Sequence, residues 1–410
     1  AIGSYALTAN TTGANNTGVG KGALTANTTG GNNTSIGFRS LDANTTGDTN
    51  TAVGSYALDA NTTANNNTAI GYLALSANTT GSENVAVGRV ALDANTTGIE
   101  NTALGAGALS ANTTASNNTA IGSNAALSNT TGTGIVAIGH DSLEGNTTGG
   151  YITAIGYEAY KSGSASGDHN IAIGVQAMYT NTSGTLNVAV GNYALDANTT
   201  GQKNTAVGHQ AATGNTTGYD NTAVGIRALY TCSTGSETTA LGARALYAQT
   251  TATHNVAVGH QSGNAITTGS DNTLVGSNCG MTATTDTGLT GIGKGALQNS
   301  TGSYNSAVGV SCLGNITGSH NVAMGRNTGA GLGASNYCTA IGDYALDATS
   351  SAGNNTALGY SALTTNSTGA YNTAVGMEAM QLNTTGTNCT AVGFEALTAN
   401  TTGAKNTAVG

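Results

Sequence analysis

The stretch Asn50-Thr51-Ala52-Val53-Gly54-Ser55-Tyr56-Ala57-Leu58-Asp59-Ala60-Asn61-Thr62-Thr63 decides the fold, because the same pattern begins again at Asn67 and keeps returning. Aligned on the glycine that follows the aliphatic residue, the register runs from Gly3 through Gly20, Gly37, Gly54 and Gly71 to Gly156 in steps of 17. An 18-residue step leads to Gly174 and two 16-residue steps lead to Gly309 and Gly325; every other interval up to Gly410 is 17. A fixed period marks a repeat architecture, and this one is too short for a pair of helices. The β-branched residues ahead of the glycine favour a strand. One β-coil per 17-residue repeat, an all-β parallel solenoid, is the expected fold.

Two apolar patches define each coil. The residue before the glycine is aliphatic in every copy, as in Val53, Ile70, Val87, Leu104 and Met324, and the one before that is Ala apart from Gly18, Ser35, Leu274 and Gly291. Three and four residues after the glycine come Ala57-Leu58, Ala91-Leu92 and Ala194-Leu195. Asn-Thr-Thr-Gly, for example from Asn10 to Gly13 and from Asn198 to Gly201, is turn chemistry and marks a corner between strands. The chain has no Pro, as expected where most backbone N–H groups serve a ladder between coils. With a rise of about 4.8 Å per coil, residues 1–410 read as one continuous solenoid on the order of 115 Å long.

Neighbouring strand residues point to opposite faces, so Ala52 and Val53 cannot both look into the coil. A strand apolar on both sides is usually covered on both sides. A narrow coil covers one face itself, which leaves the other for a second copy of the chain. Small Ala permits close approach, and the Ala column is expected to lie against that neighbour.

Composition excludes several classes of function. The net charge is −9, and ten scattered Lys and Arg form no basic stripe for phosphates, so nucleic acid is not an expected partner. No apolar run is long enough to span a bilayer. At 38% hydrophobic residues the chain is not a disordered one. No motif for a cofactor, a metal or a catalytic triad stands out, and an enzyme is not expected.

The unit Asn-Thr-Ala-Val-Gly-x-x-Ala-Leu resembles the head repeat of trimeric autotransporter adhesins and is similar to repeats of phage tail-fibre shafts. Here the repeat is lengthened by the Asn-Thr-Thr-Gly turn. The resemblance covers the whole chain and implies a left-handed parallel β-roll wound as a homotrimer, displayed outside a cell or on a virion, with a host-surface glycan or protein as receptor. Ala1-Ile2-Gly3 opens in mid-coil and Ala408-Val409-Gly410 closes at the same point, so a segment of a longer fibre is expected. The expected role is a stiff structural and adhesive spacer.

Candidate sites follow from the columns. Tyr56, Arg89, Arg227, Arg244, Tyr344 and Phe394 occupy the two variable positions after the register glycine, where a partner would be read. His140 and Glu158 fall there too. Asn10, Asn61, Asn95, Asn146, Asn215, Asn366 and Asn383 head Asn-x-Thr/Ser sequons, open to glycosylation in an exported protein. Cys232, Cys279, Cys312, Cys338 and Cys389 fall too many coils apart to pair and are expected as buried thiols. His140, His209 and His260 are likewise too far apart to share a metal.

Two rival functions rest on stacking. Adjacent threonines such as Thr62-Thr63 suggest an ice-binding array, weakened because adjacent side chains diverge in a strand. Asp42 and Asp59 share a column on neighbouring coils, at about the carboxylate spacing of retaining glycosidases, which suggests a polysaccharide-acting β-helix. Asp93, Asp196 and Asp347 in the same column favour a simple position beside a turn. Glu158 to His169, Gly263 to Gly291 and Asn327 to Tyr337 break the pattern, as decayed repeats or local bulges.

Overall fold

The computed structural model describes residues 1–162, 166–348 and 351–410. They form two units, Ala1–Lys203 and Asn204–Gly410, and no helix occurs among the described residues. Each coil contributes one three-residue strand, from β1 (Thr17–Val19) to β11 (Val188–Val190) in the first unit and from β12 (Thr205–Val207) to β24 (Thr407–Val409) in the second. The parallel β-solenoid with 17-residue coils is therefore the fold of each unit. Within each unit consecutive strands pair in parallel and in register, Thr51 with Thr68, Ala52 with Ala69, Val53 with Ile70. The irregular steps leave this register intact: Ala154 still meets Ala172 across the 18-residue coil, and Gly291 meets Ala307 across a 16-residue one. Extra and missing residues are absorbed in the turns.

The orientation of the strand is the reverse of the expectation. Ala52, Ala69 and Ala86 are fully buried inside their coils, while Thr51 and Val53 on either side of Ala52 point outward. The inward position favours a methyl because the leucines of the second patch, Leu58 and Leu75 among them, fill the space behind the strand. A Cβ placed on Gly18 would already lie 3.3 Å from Leu7.

Leu274 tests that account. It occupies the Ala column, and glycines replace larger residues around it: a Cβ on Gly280, Gly263 or Gly291 would fall 2.7, 3.2 or 3.2 Å from its side chain. The irregular stretch from Gly263 to Gly291 is thus an exchange of core volume between columns, of the kind cores accept.

The remaining walls of the coil are not strands. Residues two and four after the register glycine take left-handed backbone, Tyr56 at φ 61° and Leu58 at φ 54°. Tyr56 N–H donates to Phe38 of the preceding coil at 2.9 Å, and Leu58 N–H to Ala74 of the following coil at 3.1 Å. Such conformations cost L-residues about 1 to 2 kcal/mol each and persist because bonds to both neighbouring coils over-determine them. The register glycine is obligatory for a different reason: Gly54 has φ 139°, and a Cβ there would run into the Gly71 carbonyl.

Two columns of buried asparagine close the corner. Asn61 donates to the Ala64 carbonyl at 3.1 Å and to Asn44 Oδ1 of the coil before at 2.8 Å. Asn50 donates to the same Ala64 carbonyl at 2.8 Å, and its Oδ1 accepts the Asn67 N–H at 3.0 Å. The corner carbonyl thus has two amide donors, and either one suffices. Where Ile266, Ala283 or Leu332 replaces the first, Asn255, Asn272 or Asn321 keeps the bond at 2.8 to 2.9 Å. Where Ile135 replaces the second, Asn146 keeps it at 2.9 Å.

The coil of Ile152 lacks both donors. Ile152 stands in the second column, and the Asn-Thr-Thr turn is missing between Glu158 and His169, of which residues 163–165 lie outside the described residues. Tyr160 fills the gap from the Leu column. Its fully buried hydroxyl donates to the Gly167 carbonyl at 3.1 Å and accepts from Asn181 at 2.7 Å and Asn170 at 3.2 Å. Burial pushes the phenol up to about 12, so it stays a neutral donor.

Candidate interaction surface

Because Ala turns inward, the outward face of every strand carries the first and third strand residues. These are Thr or an aliphatic in one column and Val, Ile, Leu or Met in the other: Thr34 and Ile36, Val85 and Val87, Thr102 and Leu104, Val322 and Met324. The large members lie open to solvent, with Ile36 at 40%, Leu104 at 45% and Met324 at 51% exposure. With a rise of about 4.8 Å per coil and a strand about 10 Å wide, the eleven strands of the first unit present on the order of 500 Å² in one strip. The aliphatic column supplies roughly half of that area, an unbroken apolar row of the kind that often marks an interaction site.

The strip has two edges. One is the pair of positions after the register glycine; the other is the position two residues before the strand, again in left-handed backbone, as Glu100 (φ 58°) and Tyr151 (φ 54°) show. The sequence directed attention only to the first edge. Asn-Thr-Ala-Val-Gly drew the eye to the strand and away from Tyr151, His169, Tyr304, His320 and Tyr337, which recur in one column just ahead of it. There His169 stacks on Tyr151 at 5.1 Å, and His320 lies between Tyr304 and Tyr337 at 5.1 and 5.2 Å.

On the first edge the expected recognition residues divide into groups. Tyr56 is half-buried between Phe38 and Tyr72, with ring centroids 5.3 and 6.5 Å away and Arg39 over its face at 5.9 Å. Tyr344 packs edge-on to Tyr360 at 6.1 Å beneath Arg326 at 5.0 Å. Arg227 and Arg244 lie over Tyr230 and Tyr247, at 5.6 and 6.0 Å, and those two tyrosines stack at 5.1 Å. Arg89 and Phe394 are exposed. The structure therefore joins Arg227 to Arg244 in one patch and leaves Tyr56, Arg89, Tyr344 and Phe394 on separate coils.

The sequons are less accessible than the sequence suggests. Asn61, Asn95, Asn146, Asn215, Asn366 and Asn383 are fully buried rungs of the first amide column, and Asn10 on the first coil is exposed. In the folded chain the Nδ2 of Asn61, the atom a glycan would need, is held by Asn44 and Ala64. The threonines beside them differ sharply: Thr62 Oγ1 donates to the Thr79 carbonyl of the next coil at 3.1 Å, and Thr63 is exposed.

All five cysteines are buried free thiols. Burial pushes Cys279 and Cys312 up to about 12 and Cys232 to about 11, which suppresses the reactive thiolate. Asp42 lines a shallow cleft of about 330 Å³ with Tyr5, Lys21, Phe38 and Arg39, and Arg39 holds its carboxylate at 2.7 Å. Burial raises the Asp59 carboxyl above its ordinary range, and burial does the same to Asp93, Asp196 and Asp347, so the shift belongs to the column.

A second charged cluster sits beside the irregular coil, where Lys161 Nζ reaches Glu158 at 2.8 Å, Asp141 at 2.9 Å and Glu144 at 3.4 Å. Among the described residues, no group of three or more His, Cys, Asp or Glu is placed to hold a metal ion. Comparison with family models gives no match to this chain, and comparison with curated proteins gives none either.

Proposed function

We propose that the chain is a structural and adhesive shaft segment of an extracellular fibre, of the kind found in surface adhesins or phage tail fibres, built from three left-handed solenoids. The observation that carries this reading is the outward strand face, whose aliphatic third column is unbroken through each unit and for which a second copy of the same chain is the natural cover. In-register backbone ladders then give stiffness along the fibre, since each coil is bonded to the one before and the one after. Adhesion would fall to the exposed edges, where Arg89, Phe394 and the Arg227–Arg244 patch offer weak repeated contacts to a host glycan or protein. Sedimentation of the purified chain at micromolar concentration tests the core of the proposal: a trimer is the expected result, and a monomer overturns it.

An ice-binding solenoid is the second reading, favoured by the flat outward rows of Thr34, Thr51 and Thr68. Hydroxyls are interrupted by Val85 and Val136 in that column and missing from the neighbouring one, where Val53 and Ile70 stand. At the Asn-Thr-Thr corner one hydroxyl of each pair, such as Thr62, is spent on the backbone. Thermal hysteresis from the purified chain would establish this reading in place of the first. A polysaccharide-acting β-helix comes third, with Asp42 already engaged by Arg39.

A further inference from the structure

Between residues 209 and 330 the charged side chains are sorted by position. Four acids occur there: Asp220, Glu237 and Asp271 in the left-handed column ahead of the strand, and Asp286 buried at a corner. The four basic residues, Arg227, Arg244, Lys294 and Arg326, all lie one or two positions after a register glycine. On these eight coils no acid occupies any of the five positions that follow the glycine. A chain of net charge −9 therefore carries one stretch of edge whose formal charges are all positive. Arg227 and Arg244 concentrate it further. Of the ten Lys and Arg they alone share a column on consecutive coils, which sets two like charges on backbone positions about 4.8 Å apart.

Nothing within the chain neutralises that pair. Neither guanidinium has a carboxylate partner among the described residues. Each lies over a tyrosine instead, Arg227 over Tyr230 at 5.6 Å and Arg244 over Tyr247 at 6.0 Å, and the two rings stack at 5.1 Å with their planes 5° apart. Arg227 Nε also donates to Gln210 at 2.8 Å. Contact with an aromatic face orients a guanidinium and leaves its N–H donors available, and two such planar forks suit a sulfate or carboxylate.

The surroundings are polar and neutral. Gln210 and Gln261 flank the two arginines in their column, and Thr213 and Asn264 flank the two tyrosines in theirs. Four coils, on the order of 14 Å along the stack, thus place hydrogen-bonding side chains on either side of one positive centre. A nucleic acid, with a phosphate at every nucleotide, calls for a basic stripe, and only the middle two of these four coils carry an arginine. A sugar chain, rich in hydroxyls and bearing an anionic group on some of its units, fits the pattern.

We infer that Arg227 and Arg244, backed by Tyr230 and Tyr247, form a binding site for an anionic polysaccharide. A sulfate or carboxylate bridges the two guanidiniums, and Gln210 and Gln261 take neighbouring sugar hydroxyls. The inference rests on the adhesive reading of the edges and supplies its ligand class. The site lies within one chain, so it does not depend on self-association.

Binding of the purified chain to immobilised chondroitin sulfate, unsulfated chondroitin and dextran tests it. Chondroitin sulfate should be bound and dextran not. Binding of unsulfated chondroitin as well assigns the anchor to the carboxylate; binding of the sulfated form alone assigns it to the sulfate. Arg227→Gln together with Arg244→Gln should weaken binding about tenfold or more, and Arg244→Lys, which keeps the charge and loses the fork, about threefold. Lys405→Gln, the same loss of charge at an exposed position on the other edge, should stay within about twofold. Sedimentation of every variant should match the parent, which separates lost binding from a folding defect. A parent that binds neither form of chondroitin, a double variant that binds as the parent does, or single-stranded DNA bound as tightly as chondroitin sulfate overturns the site. None of these results touches the shaft, which stands or falls on the sedimentation of the parent.

Discussion

The coils from Asn27 to Asn129 and those from Cys232 to Leu332 hold the same corner with different resources. In the first stretch Asn27, Asn44, Asn61, Asn78, Asn95, Asn112 and Asn129 form an unbroken chain of amides beside a second one from Asn33 to Asn118. In the second, Cys232, Gln249, Ile266, Ala283, Ser300, Ile316 and Leu332 have replaced the first column, and the corner carbonyls lean on Asn221, Asn255, Asn272, Asn305 and Asn321. The difference shows that amide redundancy lets the repeat drift. A coil that keeps one donor holds its corner, and where both are gone another side chain takes over, as Asn305 does at the Gly302 carbonyl at 2.7 Å.

The sharpest way to break that comparison is to delete the remaining donor where it stands alone. Asn272→Ala leaves the Leu289 N–H and the Asp286 carbonyl without the side chain they bond at 2.8 and 2.9 Å. Two buried groups unsatisfied together should cost about 3 kcal/mol. Asn61→Ala removes a rung whose corner carbonyl keeps Asn50 at 2.8 Å, and about 1 kcal/mol is expected. Denaturant midpoints of the two variants, with hydrogen exchange at the flanking coils, measure the contrast. Equal losses would show that the columns do not back each other up.

Tyr160→Phe comes next, because one hydroxyl serves the whole irregular coil. Asn181 loses one of its two acceptors and Gly167 loses a donor, though Asn181 keeps the Gly184 carbonyl at 3.0 Å and Asn170 still reaches the Gly167 carbonyl at 3.2 Å. About 2 kcal/mol should be lost, centred on this coil. Tyr160 sits in the Leu column, so nothing in the linear pattern ties its hydroxyl to an amide missing from a different column.

What was legible in the sequence follows the same division. Period, strand position and the Ala and Leu columns could be read because each depends on spacing along the chain, as Ala52, Leu58 and Gly54 show. Which face of the strand is inside could not, because alternation separates Ala52 from Val53 without saying which points inward; the volume of Leu58 behind the strand decides it. The buried amides were hidden because Asn61 and Thr62 have the composition of an exposed turn. At the candidate interaction surface, Arg227 and Arg244 were recognisable as variable positions, while Tyr230, Tyr247 and the stacked Tyr304, His320 and Tyr337 depend on which columns the turns bring side by side.

Asp286 offers a smaller change in the region with one amide column, and its size depends on pH. It is buried at a corner position that Ala64, Ala115 and Ala252 occupy elsewhere, and its Oδ2 has no hydrogen-bond partner. Burial raises its carboxyl above the ordinary 3.8. The folded chain therefore binds this proton more readily than the unfolded one, and the stability it contributes is full below that value and lost as pH rises through the folded one. Asp286→Ala should raise the melting midpoint at pH 7, with the gain shrinking toward pH 3. A gain unaffected by pH would assign it to packing.

The smallest effect separates two adjacent threonines that composition cannot tell apart. Thr62 gives its hydroxyl to the Thr79 carbonyl and is half-buried; Thr63 is exposed. Thr62→Ala should cost about 1 kcal/mol, and Thr63→Ala should stay within about 0.5 kcal/mol of the parent. The same pair bears on the ice-binding alternative, since a surface that holds ice through the Asn-Thr-Thr corner has only the Thr63 column free. If Thr63→Ala together with Thr80→Ala and Thr46→Ala leaves any thermal hysteresis of the chain intact, that corner is not the ice-binding face. The argument would then move to the outward Thr51 and Val53 columns, where covering by a second copy and binding to ice exclude each other.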